Sequence, residues 1–151
     1  MDDKIEFDPI YPVGFHDILI DDMDDIFVLP FANNERRKYL TERFKDFLEK
    51  FSEIGVAAEI WIDGSYSTHK PDPEDIDVVF LCDEDEVNKV PDKQHLILDL
   101  FNRNLSKIRY SCDVFIVPTN DIKTVNYWRD WFSFSRDKKP KGIPRINYAI
   151  N

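Results

Sequence analysis

Two aspartates, Asp75 and Asp77, flank one isoleucine at the start of an apolar run that continues to Cys82. The run predicts a strand over 76–82, and residues two apart in a strand face the same way. Two carboxylates about 4 Å apart at a surface-like dielectric repel each other by about 4 kcal/mol. A cation between them removes that repulsion, and oxygen-only ligands select hard ions such as Mg²⁺ or Mn²⁺. The pair is therefore a candidate divalent-metal site.

A third carboxylate, Asp113, begins a further apolar run that predicts a strand to Val117. If this strand neighbours the first, Asp113 joins the same cluster. Three carboxylates around two metal ions can stabilise both the attacking and the leaving oxygen of a phosphoryl transfer. The alternative is structural, because aspartates are common at strand ends and this chain carries 30 acidic residues.

The turn before these aspartates supports the functional interpretation. Gly64 and Ser65 follow a predicted strand over 58–63, and prolines mark 68–73 as a loop. Glycine lets a backbone approach a phosphate closely, and a serine hydroxyl with nearby N–H groups can hydrogen-bond it. The order is then strand, Gly-Ser, spacer, Asp-x-Asp and a later Asp.

This order resembles the DNA polymerase β-type nucleotidyltransferase superfamily, with Gly64, Ser65, Asp75, Asp77 and Asp113 as the matching residues. The resemblance implies helices packed on a small mixed sheet, two Mg²⁺ or Mn²⁺ ions, and transfer of a nucleoside monophosphate from a nucleoside triphosphate. It further implies that Asp75 and Asp77 ligate both metals. Asp113 would complete the site nearer the acceptor and help to deprotonate the attacking hydroxyl, and Ser65 would contact the terminal phosphates.

One feature departs from that pattern. Minimal nucleotidyltransferases of the antitoxin type usually carry an arginine-glycine pair shortly after Gly-Ser, and residues 66–70 here read Tyr-Ser-Thr-His-Lys. A triphosphate needs cationic partners beyond its metals. We therefore predict nucleotide contacts from the basic C-terminal segment, and above all from Lys141, because Gly142 lets the backbone turn nearby. The candidates are Lys138, Lys141 and Arg145 in that segment, with Lys70, Arg36 and Arg37 elsewhere, and each alone could equally be a solvated surface residue.

A narrower resemblance covers nearly the whole chain. Residues 12–16, 34–37, 61–65 and 141–143 are similar to a set of small bacterial nucleotidyltransferase-like proteins. Within that set, the chain resembles one characterised branch, which consists of the nucleotidyltransferase subunits of Hailong anti-phage defence. That resemblance implies untemplated synthesis of short single-stranded deoxyadenosine oligomers from dATP. The oligomer would bind and silence a membrane effector protein.

Those enzymes start the strand on a tyrosine near their C-terminus, and Tyr148 occupies such a position here. A phenol has a pKa near 10, so an acidic cluster with bound metal could activate it more readily than a serine hydroxyl. We therefore predict that Tyr148 is the primer and reaches Asp75, Asp77 and Asp113. The alternative is that Tyr148 pairs in a terminal strand.

Other functions stay open at this stage. A minimal nucleotidyltransferase could transfer the nucleotide to a partner protein or a small molecule, and a catalytically inactive nucleotide-binding module is a third candidate. The net charge of −10 argues against a protein that coats DNA or RNA, so no stable duplex partner is expected. From the length of 151 residues we expect one catalytic-size domain without template-gripping domains.

The expected location is the cytoplasm. The acidic start of the chain is unlike the basic start of a signal peptide, and no apolar run approaches the roughly 20 residues that span a bilayer. Cys82 and Cys112 both lie in strand-like runs, as expected of reduced thiols.

The order of helices and strands indicated by the sequence predicts a single α+β domain over residues 1–151, with a small mixed sheet and packed helices. Residues 1–32 should form an irregular N-terminal arm with one short helix near 17–25, and 133–151 a basic C-terminal tail. Three helices are predicted, over 34–54, from Pro91 to Ile108, and over 122–132. Four strands are predicted, over 58–63, 76–82, 112–117 and 143–148.

Overall fold

A five-stranded mixed sheet organises the computed structural model, which describes residues 6–149. The strands are β1 (Gly14–Asp17), β2 (Ala58–Asp63), β3 (Ile76–Cys82), β4 (Cys112–Pro118) and β5 (Gly142–Tyr148). Their spatial order is β1-β5-β2-β3-β4. The β1/β5 and β3/β4 pairs are parallel, and β5/β2 and β2/β3 are antiparallel. The predicted α+β class is confirmed.

Helices in the described residues cover both faces of this sheet. They are α1 (Met23–Phe27), α2 (Glu35–Ser52), α3 (Glu84–Asn88), α4 (Gln94–Leu100), α5 (Arg103–Tyr110) and α6 (Ile122–Phe132). The long helix predicted over 34–54 is confirmed as α2, and Gly55 follows it at a φ of +80°, which favours glycine. No helix within residues 6–149 is both long enough and apolar enough to cross a membrane.

Alternation along the strands separates the two faces. In β3, Val78 and Phe80 face the larger core, where Phe47 of α2 lies 5.3 Å from Phe80 between ring centroids. Val79 and Leu81 face the smaller core, which Phe132 of α6 covers. Residues two apart share a face, so Asp77 lies on the α6 side of the sheet with Val79.

Two predicted segments differ from the structure. The helix expected from Pro91 to Ile108 is two helices, α4 and α5, because Asn102 interrupts it and caps α5 by accepting a hydrogen bond from the Leu105 N–H at 3.2 Å. The N-terminal arm expected to be irregular contributes β1 to the sheet. The short helix α1 lies partly in the predicted region 17–25.

The C-terminal segment is also more integrated than a tail. Strand β5, predicted over 143–148, lies inside the sheet between β1 and β2. A side chain at Gly142 would place its Cβ 2.1 Å from the carbonyl oxygen of Pro12. The two ends of the chain therefore pack closely here, and glycine permits the approach.

Arg37 fixes the loop that follows β2. Its side chain is fully buried in α2 and lies 3.7 Å from the centre of the Phe31 ring. The guanidinium donates hydrogen bonds to the carbonyl oxygens of Phe27, Ser65, Tyr66, Thr68 and Lys70. Burial lowers the pKa of Arg37 to about 10. Arg37 was a candidate phosphate ligand, but its guanidinium is hydrogen-bonded to these carbonyl oxygens instead.

We expect Arg37→Lys to destabilise the protein by about 3 kcal/mol, because lysine lacks the planar fork and leaves buried carbonyls unpaired. Chemical denaturation measures this. Arg43→Lys on the same helix is the control, since Arg43 pairs with Asp46 at 2.8 Å and is partly exposed. Its expected change is within about 0.5 kcal/mol. Equal effects of the two substitutions would contradict the role of Arg37.

Candidate active site

Three aspartates meet at one end of the sheet. Asp77 in β3 is paired in register with Asp63 at the end of β2 and with Asp113 in β4. Alternation places all three carboxylates on the α6 face, and Asp75 lies two residues before Asp77. The strands of Asp77 and Asp113 are neighbours, which is the condition under which Asp113 was expected to join the cluster. Sequence reasoning missed Asp63, although its position as the last residue before Gly64 was a usable signal.

The cluster is electrostatically strained. Burial, reinforced by the negative charges of Asp75, Asp63 and Asp113, raises the pKa of Asp77 to about 7, while Lys141 acts in the opposite direction. Burial likewise raises the pKa of Asp63, against the effect of Lys141. Such a group of carboxylates is stable in its ionised form only with nearby cations.

Three basic side chains supply part of that compensation. Lys141 forms a buried ion pair with Asp63. Arg103 binds both carboxylate oxygens of Asp113, at 2.9 Å and 3.1 Å. The Nζ of Lys107 lies 3.5 Å from Asp75. Arg103 and Lys107 are one turn apart on α5 and so face the cluster together. Sequence reasoning missed both α5 cations, which no local motif marks.

Gly64 allows the turn at the end of β2 to approach Asp77. Its φ of +79° and ψ of −170° favour glycine, and a Cβ there would lie 2.5 Å from Asp77 Oδ2. Ser65 begins a short 3₁₀ turn, Ser65–Ser67, and is partly exposed. The predicted Gly-Ser element therefore does border the aspartates.

The predicted basic residues near the C-terminus are placed differently. Lys141 is buried against Asp63, so in this state its ammonium faces a carboxylate and not solvent. Arg145 binds both carboxylate oxygens of Asp17, at 2.6 Å and 3.1 Å. Lys138 lies in an exposed turn, where its N–H donates to the Ser135 carbonyl. Only Lys141 of these three is paired with the aspartate cluster.

The structure does not bring Tyr148 to the aspartates. Tyr148 pairs with Ala58, at the opposite end of β2 from Asp63, and at about 3.3 Å per residue these two ends are roughly 16 Å apart. The Tyr148 ring also lies on the other face of the sheet, 5.6 Å from Phe51. The prediction that its phenol reaches the metal site is not met within one chain, because strand pairing and core packing hold Tyr148 away.

The donor set fits a hard divalent cation. Asp75, Asp77 and Asp113 offer only oxygen, and Gly64 leaves space beside Asp77 Oδ2. Within residues 6–149, no three acidic, histidine or cysteine side chains are grouped as a metal-binding set. Asp113 and Asp75 are paired with Arg103 and Lys107, so a metal ion bound to these carboxylates would compete with the two basic side chains.

A cleft of about 200 Å³ opens over the aspartates. Asp63, Asp77 and Asp113 line one part of it. The rest is aromatic, and is formed by Phe115 of β4 with Tyr127, Trp128, Trp131 and Phe132 of α6. The site is thus an acidic floor beside an aromatic wall in a small α+β domain.

Comparison with known proteins places the chain in a family. Residues 5–147 match the model of a family of unknown function, DUF6932, and the chain belongs to that family. No curated protein and no solved structure matched.

We expect Gly64→Ala to destabilise the protein by about 1–3 kcal/mol through backbone strain and through the contact with Asp77. A double-mutant cycle with Asp77→Ala separates the two contributions. The penalty for Gly64→Ala should be about 1 kcal/mol smaller in the Asp77→Ala background, because the clashing carboxylate is gone. Strictly additive unfolding free energies would show that Gly64 does not act through Asp77.

Proposed function

We propose that this protein is a metal-dependent nucleotidyltransferase that transfers a nucleoside monophosphate from a nucleoside triphosphate to a hydroxyl acceptor. The observation that carries the proposal is the register of Asp77 with Asp63 and Asp113, with Gly64 in contact distance of Asp77. One buried and three partly buried carboxylates held together against their repulsion are more readily explained by cation binding than by stability.

The proposed role of each site residue follows from its position in the cluster. Asp75, Asp77 and Asp113 would hold two Mg²⁺ or Mn²⁺ ions, which when bound neutralise phosphate charge and activate the acceptor hydroxyl. Asp63 is a positioning residue, because its ion pair with Lys141 fixes the end of β2. The Gly64 backbone and the Ser65 hydroxyl would bind the terminal phosphates.

The transfer step conserves atoms and charge. The acceptor oxygen bonds to the α-phosphorus, the bond from that phosphorus to the bridging oxygen breaks, and pyrophosphate leaves. In the proposed reaction Asp113, once released from Arg103, would take up the hydroxyl proton. Arg103 and Lys107 are more than half exposed and lie beside the aspartates, so they are the available cations for the departing phosphates.

The fold bears on one candidate acceptor, Tyr148. Within one chain, Tyr148 could act as primer only if β5 left the sheet, so the structure does not favour self-priming in cis. The dATP donor, the single-stranded DNA product and the effector protein of the Hailong-like interpretation stay predictions. Transfer to a partner protein, transfer to a small molecule and nucleotide binding without catalysis are the alternatives that an assay must separate.

The direct test incubates the protein with each labelled nucleoside and deoxynucleoside triphosphate plus Mg²⁺ or Mn²⁺. Products are then separated into free oligomer, labelled small molecule and labelled protein. We expect transfer by the wild type and only background with Asp77→Asn. Asp99→Asn is the matched control, because Asp99 pairs with Arg109 on the protein surface, and it should keep full activity.

The same variants report on folding. Without metal, Asp77→Asn should melt about 2 °C or more above the wild type, because it removes one of the mutually repelling charges. Mg²⁺ should raise the melting temperature of the wild type and of Asp99→Asn but not of Asp77→Asn. Undiminished transfer by Asp77→Asn would overturn the proposed function. A metal-dependent shift without transfer to any acceptor supplied would favour the inactive nucleotide-binding module.

We also expect Arg103→Gln to strengthen Mg²⁺ binding by about two- to fivefold, since Arg103 competes with the metal for Asp113. The melting temperature as a function of Mg²⁺ concentration gives this affinity. Arg109→Gln on the same helix is the control and should leave it unchanged. Weaker Mg²⁺ binding in Arg103→Gln would mean that Arg103 supports the metal site instead of occupying part of it.

A further inference from the structure

The aromatic wall of the cleft, formed by Phe115, Tyr127, Trp128, Trp131 and Phe132, takes no part in the metal and phosphate contacts proposed above. Tyr127 is 58% exposed and Trp131 is 63% exposed, which is unusual for side chains of this size. Exposed aromatic surface that borders a cleft marks a binding site more often than a packing residue. The question is which ligand the wall fits.

The inner part of the wall is packed against the sheet and the small core. Phe115 packs against Trp128 with ring centroids 4.3 Å apart, and Trp128 packs against the buried Phe132 at 5.7 Å. Next to these rings, Tyr127 and Trp131 lie one helical turn apart, with centroids at 6.5 Å and only 10° between their planes. The outer part of the wall is therefore a pair of nearly parallel, exposed rings.

The wall is also continuous with the aspartates. Phe115 lies two residues after Asp113 in β4 and so on the same face of the sheet. The guanidinium of Arg103 lies 4.4 Å from the centre of the Phe115 ring while it binds Asp113. The wall therefore adjoins the β4 side of Asp77, whereas Gly64 and Ser65 adjoin its β2 side.

The volume of the cleft and the charges around it favour a ligand with one planar ring system. The cleft holds about 200 Å³, below the roughly 300–1,000 Å³ of sites for drug-sized ligands, so it suits a single ring system. Asp63, Asp75 and Asp113 have basic partners and, in the proposed function, the cluster also binds metal ions, so the ring that meets the aromatic side chains need not be cationic. Aromatic side chains stack on nucleobases irrespective of sequence, because every base presents a flat π-face.

We infer that the aromatic wall is a nucleobase-binding subsite, in which Tyr127 and Trp131 stack on a base whose phosphate lies over the aspartates. The inference rests on the proposed function and extends it to substrate recognition. The base could belong to the donor triphosphate or to the end of a single-stranded acceptor, and both share this chemistry.

Equilibrium binding tests the subsite without turnover. Calcium replaces magnesium, and three probes are titrated calorimetrically: dATP, a short oligodeoxyadenylate, and inorganic tripolyphosphate, which has no base. Trp131→Ala and Tyr127→Ala should each weaken binding of at least one base-containing probe by about fivefold or more and leave tripolyphosphate unchanged. Trp131→Tyr should restore most of the loss. Tyr39→Ala, which removes an exposed aromatic on α2, is the control.

The probes also identify the source of the base. A loss confined to the oligonucleotide assigns the subsite to the acceptor, and a loss with dATP assigns it to the donor. Equal weakening of tripolyphosphate, or no weakening of either base-containing probe, would overturn the inference. It would also be overturned if Trp131→Ala dissociated a dimer in sedimentation while nucleotide affinity stayed constant, since the wall would then be a protein interface.

Tripolyphosphate binding tests the proposed function independently of the aromatic wall. If tripolyphosphate with calcium binds the wild type and not Asp77→Asn, the phosphate site stands whatever the wall does. If tripolyphosphate binds neither protein, the proposed function loses its basis even where a nucleobase still stacks on Trp131.

Discussion

Mutual repulsion among carboxylates at one end of three neighbouring strands is the constraint on which this structure depends. Asp63, Asp77 and Asp113 are brought into register by the same backbone pairing that builds the sheet, so their proximity cannot be relaxed without breaking strands. Burial makes the crowding worse, and the pKa of Asp77 rises to about 7 as a result. The surrounding elements either supply positive charge or leave space for it.

Each surrounding element can be understood from that constraint. Helix α5 presents Arg103 and Lys107 to Asp113 and Asp75, and the segment before β5 buries Lys141 against Asp63. These pairs are unequal. Lys141 is enclosed, so its pair is a permanent part of the fold, whereas the α5 cations are more than half exposed and can be exchanged at little cost. A metal ion would therefore compete with α5 and not with Lys141.

The sequence was most informative where local patterns carry the signal. The apolar run over 76–82 and the helical spacing in 34–54 predicted β3 and α2, and Asp-x-Asp with Gly64 indicated the candidate site. The partners of the site residues could not be predicted from the sequence, because they depend on contacts between distant segments. Nothing local marks Arg103 as the partner of Asp113, and the basic residues near the C-terminus resembled a phosphate-binding tail because burial of Lys141 arises only when β5 enters the sheet. The placement of Tyr148 on the opposite face follows from that same strand.

The proposed function depends on divalent-metal binding by the aspartates. Anomalous diffraction from crystals of the wild-type protein soaked in Mn²⁺ would show such binding. We expect an anomalous peak in contact with carboxylate oxygens of Asp77 and Asp75 or Asp113, with Arg103 displaced from Asp113 and the Lys141–Asp63 pair intact. Crystals with Mn²⁺ bound elsewhere, and with the ion pairs of α5 unchanged at saturating metal, would contradict it.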